Sequence, residues 1–151
     1  MRTTNQVAVY CMFHEGGRNF FTLVKRSEKR GGFWQPVTGG EEDFDEGNIL
    51  KTVAREVKEE LGIKIKQERI QEIPYSFRFI DKGGIEHLER CFGILLSPKT
   101  KDSIRLSNEH TAIIHSTDVE YLKTLLRFEE NRIGFSKFVE LVANVFTQHD
   151  C

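Results

Sequence analysis

Asn48-Ile49-Leu50-Lys51-Thr52-Val53-Ala54-Arg55-Glu56-Val57-Lys58-Glu59-Glu60-Leu61-Gly62 is the stretch that organises this chain. Its apolar residues, Ile49, Leu50, Val53, Ala54, Val57 and Leu61, recur at i, i+3/i+4 spacing, which predicts an amphipathic helix over 49–61. Asn48 suits the N-cap, where its side chain can accept from free backbone N–H groups. Gly62 suits the left-handed residue that ends a helix. Glu56, Glu59 and Glu60 fall at i, i+3 and i+4, so their carboxylates share one face. Like charges so spaced cost roughly 0.2–0.5 kcal/mol per pair. A helix built only for solubility would interleave lysines. Clustered carboxylate oxygens are what a hard cation such as magnesium needs. The plain alternative is a solvated acidic face, softened by Lys58 and Lys64.

Outward from this helix the pattern changes to strands. Val7–Phe13 reads as a buried strand, turned at His14–Asn19 into a hairpin partner, Phe20–Lys25. A polar loop, Arg26–Gly32, leads to a short strand, Phe33–Thr38, then Gly39-Gly40 and an acidic loop, Glu41–Gly47. Beyond the helix, Ile70–Ile80 and Ile85–Leu96 read as strands joined near Asp81–Gly84, and Thr111–His115 as another. Asp118–Phe128 and Arg132–Phe146 read as helices, the second with a core stripe of Phe135, Phe138, Val139, Val142 and Phe146. Strands, helix, strands, helices imply an α/β fold, a mixed sheet with helices on both sides.

The 151 residues fit a single domain, 1–151, large enough to bury a core without staples. The 12 phenylalanines make that core rich in rings. A net charge of -1, from 22 basic and 23 acidic side chains, offers no basic excess for a long nucleic acid. A small charged ligand remains compatible, because local clusters decide its binding. Cys11, Cys91 and Cys151 are odd in number and far apart, as expected of reduced thiols, two of them in the core. No signal-peptide run opens the chain and no stretch approaches the roughly 18 apolar residues of a membrane span. The expectation is a cytoplasmic protein without a membrane partner. The reading leaves room for a homodimer.

Gly40, Glu46 and Arg55–Ile63 (REVKEELGI) resemble the Nudix box, in which a Gly is followed by a Glu and then by REUxEExGU, with U a bulky aliphatic residue. Arg55, Glu56, Val57, Glu59, Glu60, Gly62 and Ile63 meet every specified position of the second half. One departure stands upstream. The pattern places a Glu eight residues before the Arg, where this chain has Gly47. An extra loop residue accounts for that, and either Glu46 or Asp45 can fill the role.

The resemblance implies an α/β/α sandwich around a mixed sheet. It implies hydrolysis of a nucleoside diphosphate linked to another group, with Mg2+ or Mn2+ held by Glu56, Glu59 and Glu60 and by a backbone carbonyl near Gly39-Gly40, assigned to Gly40. Arg55 would orient the glutamates. Phe33–Gly40 further resembles the strand before the box in the dihydroneopterin-triphosphate and dATP pyrophosphatase subgroup. That likeness implies substrate contacts from Lys25 or Arg26 and from Thr38, with Trp34 as a candidate stacking platform. Asn108–Thr111 resembles a Thr-Glu-His segment whose Glu binds metal, which carries a metal role to Glu109.

Each assignment has a plain counterpart. Trp34 suits a core ring, Lys25 and Arg26 a solvated strand end, and Glu109 a cap or surface residue. His87, His110 and His115 lack zinc-ligand spacing and are read as packing or hydrogen-bonding residues. The leading expectation is Mg-dependent cleavage of a purine or pterin nucleoside triphosphate to monophosphate and pyrophosphate, with dNTP clearance as one role. The alternatives are hydrolysis of ADP-ribose, a dinucleoside polyphosphate or an RNA 5′ end, or a non-catalytic nucleotide-binding module.

Overall fold

The computed structural model describes the backbone of residues 4–149 and the side chains of residues 4–143. The expectations for Phe146 and Cys151 lie outside the described side chains. Seven strands form one mixed sheet: β1 (Thr4–Glu15), β2 (Arg18–Arg26), β3 (Trp34–Gln35), β4 (Val37–Gly40), β5 (Ile70–Ile80), β6 (Glu86–Leu96) and β7 (His110–Ser116). Four α-helices accompany it: α1 (Ile49–Leu61), α2 (Pro98–Asp102), α3 (Val119–Leu125) and α4 (Glu129–His149). The α/β expectation holds.

β1 is the axis of the sheet. It runs parallel to β6, with Gln6 opposite Glu89 and Ala8 opposite Cys91. Along its other edge it changes partner midway. Cys11–Glu15 pair with β2, and Gln6–Val9 pair with β4. Its residues alternate between two cores, as a strand's period of two requires. Val7, Val9, Cys11 and Phe13 join the core under α1, packed with Val53, Val57 and Leu61. Ala8, Tyr10 and Met12 join the core under α3 and α4, packed with Leu122, Phe135 and Phe138. A strand buried on both faces reads as an unbroken apolar run, which is how Val7–Phe13 reads.

The structure refines the sequence reading where local chemistry intervenes. The single strand expected over Phe33–Thr38 is two: β3 pairs with β2 and β4 with β1, divided at Pro36, which has no N–H to donate. α2 was not expected; Ser97 caps it, accepting from Thr100 N, and Pro98 sits in its first turn. α4 begins at Glu129, ahead of Arg132. The helix over 49–61 lies where the periodicity puts it. Asn48 accepts from Leu50 N and Lys51 N, and Gly62 ends the helix at φ 67°. Cys11 and Cys91 are buried free thiols. Among the described residues no helix is long and apolar enough to cross a membrane.

Candidate active site

α1 packs its apolar side against the sheet, which turns its glutamates toward the end of β4. A cavity of 290 Å³ opens there. Glu56, Glu59, Glu60 and Glu109 line it on the acidic side, with Gly39, Thr38 and Gln35 from β3 and β4. Arg26, Arg30 and His110 complete it.

Arg55 organises the acidic side. Its Nε donates to Asp45 Oδ1 at 3.1 Å and its Nη2 to Asp45 Oδ2 at 3.0 Å. Nη2 also donates to the Gly40 carbonyl at 2.7 Å, and Nη1 to Glu56 Oε1 at 2.9 Å and Glu59 Oε2 at 3.2 Å. One planar guanidinium thus ties the loop, the end of β4 and two turns of α1 together. Asp45 is only 1% exposed, and Thr52 Oγ1 and Glu42 N also donate to its Oδ2. The Arg55 bonds hold its carboxyl at about 2. The Asp45 bond likewise pushes the Arg55 guanidinium further up.

This geometry decides between Glu46 and Asp45. Glu46 adopts a left-handed φ of 57°, stands out in solvent and, among the described residues, pairs its carboxylate only with Lys51, at 3.6 Å. Asp45 fills the position, because a single 3-10 turn over Asp43–Asp45 absorbs the extra loop residue and turns its carboxyl inward.

Glu56 and Glu60 are buried, whereas the Glu59 side chain is 53% exposed. Burial pushes the Glu56 carboxyl up to about 7; Arg55 pulls it down and Glu59 pushes it up further. For Glu60, burial is outweighed by the adjoining His110, Glu109 and Ser107, and its carboxyl is held low. Its neighbour Glu109 is raised, chiefly by its hydrogen bond to Glu60. Ser107 Oγ donates to Glu60 Oε2 at 3.1 Å, and Arg30 Nη2 pairs with Glu109 Oε1 at 3.0 Å. His110 Nδ1 lies 2.7 Å from Glu60 Oε2, at ion-pair distance but outside hydrogen-bonding geometry.

Crowded carboxylates that raise one another's pKa are short of positive charge. Four of them line this cavity, and carboxylate oxygen is the donor that Mg2+ and Mn2+ prefer. The donor set fits such an ion. Among the described residues no three acidic, His or Cys side chains converge into a ready-made cage. Glu56 and Glu59 are instead turned onto Arg55.

Gly39, not Gly40, faces the carboxylates. A Cβ at Gly39 would lie 1.9 Å from Glu56 Cδ, so only glycine leaves room. Gly40, the expected metal neighbour, gives its carbonyl to Arg55. Among the expected substrate residues, Arg26 and Thr38 line the cavity. Lys25 does not; it pairs across the sheet with Trp34 and Ala112. Trp34 packs on the α3–α4 core and bridges to Leu126. His115 and His87 make the hydrogen bonds expected of them, with Thr22 and Asp81 at 2.7 and 2.8 Å. The sequence reading gave no site role to Arg30, Gln35 or His110, and left the box carboxylate open between Asp45 and Glu46. The box pattern signalled the position of Asp45, and the others carry no local signal.

The NUDIX domain family model matches residues 3–135. Among solved structures, a Listeria monocytogenes protein assigned to the NUDIX hydrolases is 25% identical, with a TM-score of 0.73 over 92% of this chain and 94% of that one. The Escherichia coli dihydroneopterin triphosphate pyrophosphohydrolase is 23% identical, with a TM-score of 0.70 over 89% and 94%. The NUDIX domain of Shewanella oneidensis NrtR, solved with ADP ribose, is 13% identical, with a TM-score of 0.73 over 94% and 90%. Among curated proteins no sequence matches.

Proposed function

The chain belongs to the Nudix family, and we propose that it forms one catalytic domain that cleaves a nucleoside or pterin triphosphate to the monophosphate and pyrophosphate. The observation that supports this reading is a single cavity in which Glu56, Glu59, Glu60 and Glu109 face two arginines, Arg26 and Arg30. Acidic groups for a cation and basic groups for phosphate, on one small cavity, match the charge pattern of a metal-polyphosphate.

Nudix hydrolases generally use divalent metals. Glu56, Glu59, Glu60 and Glu109 would hold Mg2+ or Mn2+ here. Such an ion supplies neutralisation of the phosphate oxygens and activation of the attacking water. The protein does the rest. Arg55 fixes the loop and α1 so that the carboxylates keep their spacing. Arg26 and Arg30 bind phosphate oxygens, and Thr38 and Gln35 position the chain of phosphates between them. Glu56, Glu60 and Glu109 are the groups placed to take the proton of the attacking water, and pyrophosphate departs in line.

The E. coli neighbour acts on dihydroneopterin triphosphate, which agrees with the triphosphate reading. The NrtR domain binds ADP ribose, so a diphosphate substrate is the second reading. The test is pyrophosphate release from a panel of dNTPs and dihydroneopterin triphosphate, beside AMP release from ADP-ribose, with Mg2+ and with chelator. The triphosphate reading expects metal-dependent pyrophosphate release. Turnover of ADP-ribose alone would reject it.

A further inference from the structure

A second cavity of 450 Å³ opens beside the first and shares Arg26, Gln35 and Thr38 with it. Its lining is different in kind. Phe77 and Phe79 of β5 line it, with Phe33 ahead of β3 and Phe128 ahead of α4. This size and aromatic character suit a planar ring. A triphosphate seated over the carboxylates would carry its ring here.

Glu89 of β6 also lines this cavity. It is 93% buried by residue, at 7% exposure. Among the described residues no side chain or backbone group bonds to its carboxylate. The groups around it offer little compensation. Gln6, its partner on β1, turns its amide to His87; Asn131 and Glu130 of α4 line the same cavity, and Glu130 adds like charge. Burial, then Glu130, push the Glu89 carboxyl up to about 7, with His87 opposing. Glu89 turns to this cavity with no hydrogen-bond partner among the described residues, so a role in packing alone does not account for it.

We infer that Glu89 selects the ring of the substrate, accepting two adjacent N–H groups from one edge of a 2-amino-4-oxo-pyrimidine, the pattern shared by guanine and pterins. Stacking on phenylalanine tolerates any base, because every base has a π-face. Discrimination needs a polar group that only one edge satisfies. Guanine presents a ring N–H beside an amino group, two donors for one carboxylate. Adenine and cytosine present an amino donor beside a ring acceptor, which a carboxylate repels. Thymine presents one N–H between two carbonyls. Asn131 carries the donor that the guanine or pterin carbonyl needs. This inference rests on the triphosphate reading for the ligand's place, but it makes a separate claim.

The test is equilibrium binding of dGMP, dIMP, dAMP and dTMP by calorimetry with Mg2+ present, at pH 8.5, where the Glu89 carboxyl is ionised. dIMP keeps the ring N–H and lacks the amino group, so it probes Glu89 on the unaltered chain. We expect dGMP to bind about tenfold or more tighter than dAMP, with dIMP between them. In Glu89→Gln the guanine preference disappears and dAMP gains, because a carboxamide complements adenine's donor and acceptor. Binding of dGMP and dAMP within twofold of each other on the unaltered chain, or an unchanged ratio in Glu89→Gln, overturns the inference. The assay needs no turnover. Discrimination without pyrophosphate release would sink the hydrolase reading alone, and hydrolysis without discrimination would sink this one alone.

Discussion

Arg55 and Asp45 form a two-pronged ion pair, Nε to Oδ1 at 3.1 Å and Nη2 to Oδ2 at 3.0 Å, that joins the acidic loop to α1. Removing Asp45 leaves a mostly buried guanidinium short of its main partner. Asp45→Ala should cost roughly 2–4 kcal/mol in urea denaturation. Glu46→Ala should change stability by less than about 0.5 kcal/mol, because its pair with Lys51 is exposed. Equal effects would show that Asp45 is not the loop's anchor. The pH dependence follows in sign. The Asp45 carboxyl is depressed to about 2 from 3.8, so its stabilisation is present above pH 4 and is lost as pH falls toward 2.

Gly39 and Gly40 should respond differently to the same change. Gly39→Ala places a methyl group into the Glu56 carboxyl, 1.9 Å from Cδ, and must displace it. Turnover should fall by about 100-fold or more while circular dichroism keeps the native spectrum. At Gly40 the Cβ meets only the end of the Gln6 side chain, at 3.2 Å, which can move aside. Gly40→Ala should retain most activity. A reversed order would place the close contact at the wrong glycine.

Glu56 should trade stability for function. Its carboxyl is raised to about 7, so the folded protein holds a proton that the unfolded chain releases near pH 4.5. Stability of the metal-free protein therefore falls as pH rises from about 4.5 to 7. Glu89 titrates in the same sense, so the Glu56→Gln variant removes only part of the slope. At pH 8 that variant should be more stable than the natural chain, by on the order of 1–3 kcal/mol, yet almost inactive. Thermal melts in chelator across pH 5–8 test this. A variant less stable at pH 8 would contradict the assigned burial cost.

The two basic neighbours on β2 should separate in kinetics. Arg26 lines both cavities and Lys25 lines neither. Arg26→Ala should raise KM about tenfold or more, in line with a lost charged hydrogen bond. Lys25→Ala should stay within about twofold. Steady-state measurements on the preferred triphosphate decide between them.

These contrasts mark how far the chain could be read before folding. The glutamate face of α1 was legible because it depends only on helical periodicity, and Asn48 and Gly62 bound it as expected. The choice between Asp45 and Glu46 was open because a 3-10 turn, not a repeat, sets which carboxyl points inward. Lys25 and Arg26 could not be separated, since the β2–β7 register shifts between them and alternation fails there. Gln35 and Thr38 reach the cavity from strands that Pro36 divides. Glu89 gave no signal at all. Its place beside Gln6 comes from the parallel pairing of β1 with β6, a contact between segments far apart in the chain.

The most direct test of the account is anomalous diffraction from crystals grown with Mn2+ and a nonhydrolysable dGTP analogue. The account predicts an anomalous peak in coordination range of Glu56 and Glu60, with the triphosphate on it and the ring beside Glu89. A peak elsewhere, or nucleotide bound with Glu56 and Glu59 still on Arg55 and no ion at the carboxylates, would contradict it.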